Sequence, residues 1–92
     1  MTERAFLGAV VELAALTGWL AYHTHDSRRS QAGFPDLALV RAGRLILAEL
    51  KAAKGRVRPA QAVWLDALGG VDGVEVYLWR PQDWPAIEAV LR

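Results

Sequence analysis

The stretch PDLALVRAGRLILAELK, residues 35–51, decides how this chain is read. Two short apolar runs, 37–40 and 45–50, flank Arg41-Ala42-Gly43-Arg44. A short loop with Gly between two apolar runs predicts a β-hairpin. Charged groups stand where its strands should be apolar. Glu49 and Lys51 interrupt the second run, and Asp36 opens the first. Residues two apart in a strand share a face, so Glu49 and Lys51 point the same way. If the hairpin turns on Ala42-Gly43, Asp36 lies opposite Glu49. A bulge at Gly43 shifts this pairing by one residue. In either register the two carboxylates are neighbours at one end of the hairpin.

Adjacent carboxylates repel, and burial makes their charge costlier. A divalent cation between them resolves the conflict. Oxygen ligands without a His or Cys cluster suit Mg²⁺, with Mn²⁺ able to substitute. Such a cation polarises a phosphoryl oxygen and acidifies bound water. Lys51 on the same face can orient that water and stabilise developing negative charge. The pattern therefore points to phosphodiester hydrolysis. The plainer reading of an isolated Glu-x-Lys is an exposed ion pair on a half-solvated strand. Pro35-Asp36 and the intervening hairpin argue against it.

The remainder of the chain supplies a frame. Residues 3–17 read as a helix capped by Thr2 and stopped by Gly18. At about 100° per residue, Phe6, Leu7, Val10, Leu13 and Ala14 form its apolar stripe, with Glu3 near the middle. Residues 19–23 read as a strand, 24–33 as a polar loop and 52–58 as a basic loop. A second helix over 59–68 starts on Pro59, and Gly69-Gly70 follow it. Its stripe is Gln61, Trp64, Leu65 and Leu68. Residues 75–79 read as a fourth strand. Asp83 is placed to cap a last helix with Trp84, Ile87 and Leu91 on one face. The order α-β-β-β-α-β-α predicts an α/β fold, a mixed sheet flanked by helices. The hairpin is expected to be antiparallel and the strand after the second helix parallel.

Composition sets the outer bounds. The chain has 92 residues, is 53% hydrophobic and 23% charged. That is the size of one domain with one core, expected over 1–92. The absence of cysteine excludes disulfides and thiolate metal sites. No apolar run reaches the roughly 20 residues of a spanning helix, and residues 1–6 are no signal peptide. A cytoplasmic protein with no membrane association is expected. Net charge is +1, yet residues 28–58 alone carry +6 and the rest about −5. A basic segment in a near-neutral chain is a candidate phosphate-binding face. Within it Arg28, Arg29, Lys54, Arg56 and Arg58 are the expected phosphate contacts, and His23 is a candidate substrate contact. The tryptophans Trp64, Trp79 and Trp84 are expected in the core rather than as stacking platforms.

Gly33-Phe34-Pro35-Asp36, twelve further residues, Glu49-Leu50-Lys51, then Gln61 on the next helix together resemble the VRR-NUC branch of the PD-(D/E)xK nucleases. The resemblance extends to the leading Glu helix, Gly18-Trp19 and Trp79-Arg80-Pro81. It implies a restriction-endonuclease-like core and a metal-dependent nuclease of small, phage-type form. It implies that Asp36, Glu49 and the Leu50 carbonyl bind metal, and that Lys51 is catalytic. It also implies that Glu3 and Gln61 belong to the catalytic set. Small members are similar to Holliday-junction resolvases, which implies branched DNA as substrate and a homodimer. Two positions depart from the family pattern. Phe6-Leu7 replace a polar stretch on the first helix, and Arg58 replaces a small hydroxyl residue before the second. The competing expectation is a nuclease-like module that binds DNA or a partner without cutting.

Overall fold

A computed structural model of the chain describes residues 1–24 and 29–92. The chain runs α1 (Glu3–Leu16), β1 (Leu20–His23), β2 (Leu37–Arg41), β3 (Arg44–Leu50), α2 (Pro59–Gly69), β4 (Val74–Trp79) and α3 (Trp84–Leu91). A 3₁₀ turn at Pro81–Asp83 precedes α3. The four strands form one sheet in the order β1-β2-β3-β4. β1 and β2 pair antiparallel, as do β2 and β3, while β3 and β4 pair parallel. The fold is thus the expected mixed sheet flanked by helices.

The hairpin is tight and unbulged. Ala42 and Gly43 both have positive φ, 49° and 80°, as a two-residue turn matched to strand twist requires. Arg41 faces Arg44, and Leu37 faces Ala48. Carried one pair further, this register sets Asp36 across from Glu49.

Alternation along the strands divides the sheet into two faces. Leu37, Leu39, Ile46, Ala48 and Leu50 turn to one face and are buried with Phe6, Val10 and Ala14 of α1 and Ile87 and Leu91 of α3. The other face carries Leu47, which is buried, and it continues to Glu49. α2 packs against β4. Its residues Gln61, Trp64, Leu65 and Leu68 are half-buried and the rest of the helix beyond them is exposed, which is the stripe its periodicity predicts.

Three sequence expectations are corrected. Trp19 lies outside β1 and is a core residue whose Nε1 donates to the Leu91 carbonyl at 2.9 Å. Asp83 does not cap α3 with its side chain; its Oδ2 accepts from the Arg80 N–H at 2.9 Å, and this closes the 3₁₀ turn. Of the three expected core tryptophans, only Trp79 is fully buried, and Trp64 and Trp84 are half-buried. α1 is capped as expected, with Thr2 Oγ1 accepting from the Ala5 N–H at 3.0 Å.

Arg41 and Arg44 leave the basic face. They flank the turn, at the end of the sheet away from Asp36 and Glu49. The Arg41 guanidinium donates to the carbonyls of Thr17 and Leu91, at 2.8 and 2.7 Å, and lies over the Trp19 ring. It satisfies orphan carbonyls at two helix ends at once. Arg44 forms a two-pronged ion pair with Glu75, both bonds 2.7 Å, and this holds the Glu75 carboxyl below its ordinary range. Both are engaged by partners within the fold.

Candidate metal and nucleic-acid site

The charged ends of β2 and β3 meet beyond the last ladder pair. Glu49 is 1% exposed and Lys51, just past the end of β3, is 6% exposed. Lys51 Nζ lies 3.4 Å from Glu49 Oε2. Lys51 is held there by backbone, since its N–H donates to the Trp79 carbonyl at 3.0 Å and extends the β3–β4 ladder. Asp36 is fixed by the neighbouring strand, because its Oδ2 accepts from the Leu50 N–H at 3.0 Å.

This arrangement carries an electrostatic cost. Burial, and then the Asp36 carboxylate beside it, push the Glu49 carboxyl up to about 7, while Lys51 pulls it down. Neither Glu49 oxygen has a hydrogen-bond partner among the described residues. Buried polar atoms are nearly always satisfied, and an exception calls for an explanation. Two carboxylates with a lysine beside them form a donor set of the chemistry that hard divalent cations take. Among the described residues no group of three or more His, Cys, Asp or Glu could hold a metal. A two-carboxylate set suits Mg²⁺, which commonly takes one or two carboxylates and fills its octahedron with water and substrate phosphate.

The supporting residues are placed unevenly. Glu3, in the first turn of α1, shares a cleft of about 210 Å³ with Asp36 and Leu50. It is exposed, although the stripe predicts an inward position, because the buried stripe begins at Phe6. Gln61 shares a cavity of about 280 Å³ with Asp36. Its Oε1 is committed, accepting from the Arg58 N–H at 2.8 Å at the start of α2. Gln61 thereby caps the helix in place of the hydroxyl that Arg58 displaces, and its amide nitrogen remains for other contacts. His23 opens instead on a cavity with Arg4, Leu7 and Thr24. Its register partner is Leu37, so it sits on the α1 side, away from the face of Glu49.

The basic loop lies next to the site in sequence. Lys54, Arg56 and Arg58 are exposed, as is Arg29. Arg28 lies outside the described residues, with His25. The sequence reading missed what shapes this loop. The Arg80 guanidinium donates to the carbonyls of Ala52 and Gly55, at 2.9 and 2.7 Å. Gln82 Nε2 donates to the Ala53 carbonyl at 3.2 Å. The turn after β4 thus clamps the loop that follows Lys51. An Arg just past a strand gives no sign of this by itself.

A comparison with curated proteins finds no relative. The VRR-NUC domain profile matches residues 7–82, more than four-fifths of the chain. The match contains Asp36, Glu49, Leu50, Lys51 and Gln61 and begins after Glu3. The chain belongs to the VRR-NUC family and is a nuclease domain with DNA as its substrate.

Proposed function

We propose that the chain is a Mg²⁺-dependent DNA endonuclease, selective for branched DNA such as a Holliday junction, that acts as a homodimer. The observation that carries the metal is Glu49, buried beside Asp36 with both oxygens lacking a hydrogen-bond partner among the described residues. Asp36, Glu49 and the Leu50 carbonyl hold the cation in this reading. When bound, it polarises the scissile phosphate and lowers the pKa of water. Lys51, fixed by the β3–β4 ladder, donates to the attacking water or the phosphoryl oxygens and offsets charge that develops there. The low-dielectric surroundings strengthen that interaction. Glu3 lines the cleft beside Asp36, and Gln61 orders the start of α2 and lines the adjoining cavity. Arg29, Lys54, Arg56 and Arg58 hold DNA by its phosphates. Arg28 joins them on sequence grounds alone, and His23 contacts DNA only where it passes over the α1 side.

Pairing is supported by the open part of the sheet. Leu20, Tyr22 and Val40 are exposed, and their register sets them on one face of β1 and β2. Exposed apolar groups on an edge strand invite a partner, and a two-fold dimer presents two sites to a symmetric junction. Among the described residues no helix is long and apolar enough to cross a membrane.

The test is cleavage of fixed junctions, flaps and linear duplexes by the wild type and by Lys51→Ala in Mg²⁺. Cleavage of branched DNA by the wild type alone is expected. Equal cutting by the variant, or no cutting by either, overturns the reading. Calorimetry with Mg²⁺ and Mn²⁺ distinguishes the inert-module alternative, which predicts no binding dependent on Asp36 and Glu49.

A further inference from the structure

Phe34 is 43% exposed, two residues before Asp36. Its ring is not a loose surface group. Gly33 precedes it with φ +93°, a region that favours glycine. A Cβ on Gly33 would stand 2.5 Å from the Ala60 carbonyl, so the loop lies directly against the start of α2. Pro35 follows, is buried, and restricts Phe34 to extended backbone. Trp64 Nε1 donates to the Ala32 carbonyl at 3.1 Å. The Trp64 and Phe34 rings meet edge to face, with centroids 5.1 Å apart and planes at 81°. The phenyl ring is therefore held in place by Trp64 and by the backbone on both sides, yet remains partly open to solvent.

That ring borders the cavity of about 280 Å³ that contains Asp36, Arg58 and Gln61, with Ser30 and Gln31 on its wall. Two residues of extended chain span about 7 Å, the scale on which a nucleotide's base stands off from its phosphate. A phosphate drawn to a cation held at Asp36 thus brings a neighbouring base within reach of Phe34. Ser30, Gln31 and the amide nitrogen of Gln61, which makes no hydrogen bond among the described residues, supply polar groups for the edge of that base.

We propose that Phe34 is a stacking platform for the nucleobase beside the scissile phosphate, unstacked from its DNA neighbours in the complex. This rests on the nuclease reading and deepens it. Both faces of a base inside a continuous duplex are already covered. A face becomes available at low cost only where stacking is interrupted, at a branch, flap or end. Stacking tolerates any base, so the platform selects for DNA shape rather than sequence.

The test reads binding, so it does not depend on cutting. Junction DNAs carrying one abasic residue, walked across the branch point, are titrated in Ca²⁺ with the wild type, Phe34→Leu and Phe34→Trp. Leucine keeps apolar bulk against Trp64 but has no aromatic face. The expected result is a roughly tenfold loss of wild-type affinity at one or two abasic positions. Phe34→Leu binds intact junction about tenfold more weakly and is indifferent to those same abasic sites, while Phe34→Trp retains both affinity and sensitivity. A fluorescent base analogue at the sensitive position is quenched by the wild type and not by Phe34→Leu. An abasic walk with no sensitive position overturns the proposal, whether or not any variant folds. So does a Phe34→Leu chain that keeps the wild-type pattern. Cleavage by the wild type in Mg²⁺, measured on the same DNAs, reports separately on the nuclease reading.

Discussion

Lys51 Nζ lies 3.4 Å from Glu49 Oε2, with both side chains almost wholly removed from water. A buried ion pair seldom stabilises a fold relative to apolar groups of the same volume. This one also leaves both Glu49 oxygens without a hydrogen bond among the described residues. Replacing both residues together, as Glu49→Met with Lys51→Met, is expected to leave stability unchanged or raise it by about 1–4 kcal/mol. Loss of Mg²⁺ binding and of cleavage is the expected functional outcome. Denaturant unfolding and calorimetry check this. A double variant several kcal/mol less stable than wild type would show that the pair is structural.

The pH dependence follows from the same carboxyl. Glu49 is pushed up to about 7 from its ordinary 4.5, so the metal-free fold takes up a proton there. Its stabilising contribution is full below about 4.5 and is lost as pH rises through about 7. Relative to the double Met variant, the metal-free wild type should therefore lose melting temperature between pH 5 and pH 8. Saturating Mg²⁺ should cancel that loss, since cation binding needs the carboxylate. Below about pH 7, Mg²⁺ affinity should fall up to about tenfold per pH unit. A flat difference in melting temperature across this window would count against a shifted Glu49.

Arg80 makes two charge-assisted hydrogen bonds to the loop after Lys51. Arg80→Ala should cost about 2–3 kcal/mol in unfolding experiments. It should also expose residues 52–58 to limited proteolysis. Neutralising Lys54 or Arg56 should instead leave stability within about 0.5 kcal/mol. Each change should lower the salt slope of DNA binding by about one. Unchanged slopes in both variants would remove the loop from the DNA interface.

Gly33 meets two constraints at once, positive φ and contact with Ala60. Gly33→Ala should lose more than about 1 kcal/mol and should shift the Phe34 loop away from α2. Cleavage should fall while Mg²⁺ binding is retained, because Asp36 remains tied to the Leu50 N–H. Full activity in this variant would show that the loop's position against α2 is immaterial.

The pattern of residues was enough to lay out the elements and the core of the site. Alternation placed Glu49 and Lys51 on one face, and the Ala42-Gly43 turn set Asp36 across from Glu49. Strand period and turn chemistry are local properties, so they survive reading in one dimension. The stripes of α1 and α2 were legible for the same reason, as three- and four-residue spacing is fixed by the helix itself.

Other features depend on contacts between segments far apart in sequence, and only the tertiary structure decided them. Arg41 and Arg44 count as basic charge in the sequence, yet Thr17, Leu91 and Glu75 engage their guanidinium groups. Arg80 reaches back to Ala52 and Gly55 only because β4 returns beside β3. Glu3 was assigned from the family resemblance and its stripe and His23 from residue type, but the packing of α1 leaves Glu3 exposed and the register turns His23 to the α1 side. The placement of Asp36, Glu49 and Lys51 together thus follows from residue types at fixed spacing. Which basic side chains the fold itself engages follows from long-range partners, because the carbonyls and the carboxylate that bind Arg41 and Arg44 come from segments far away in sequence.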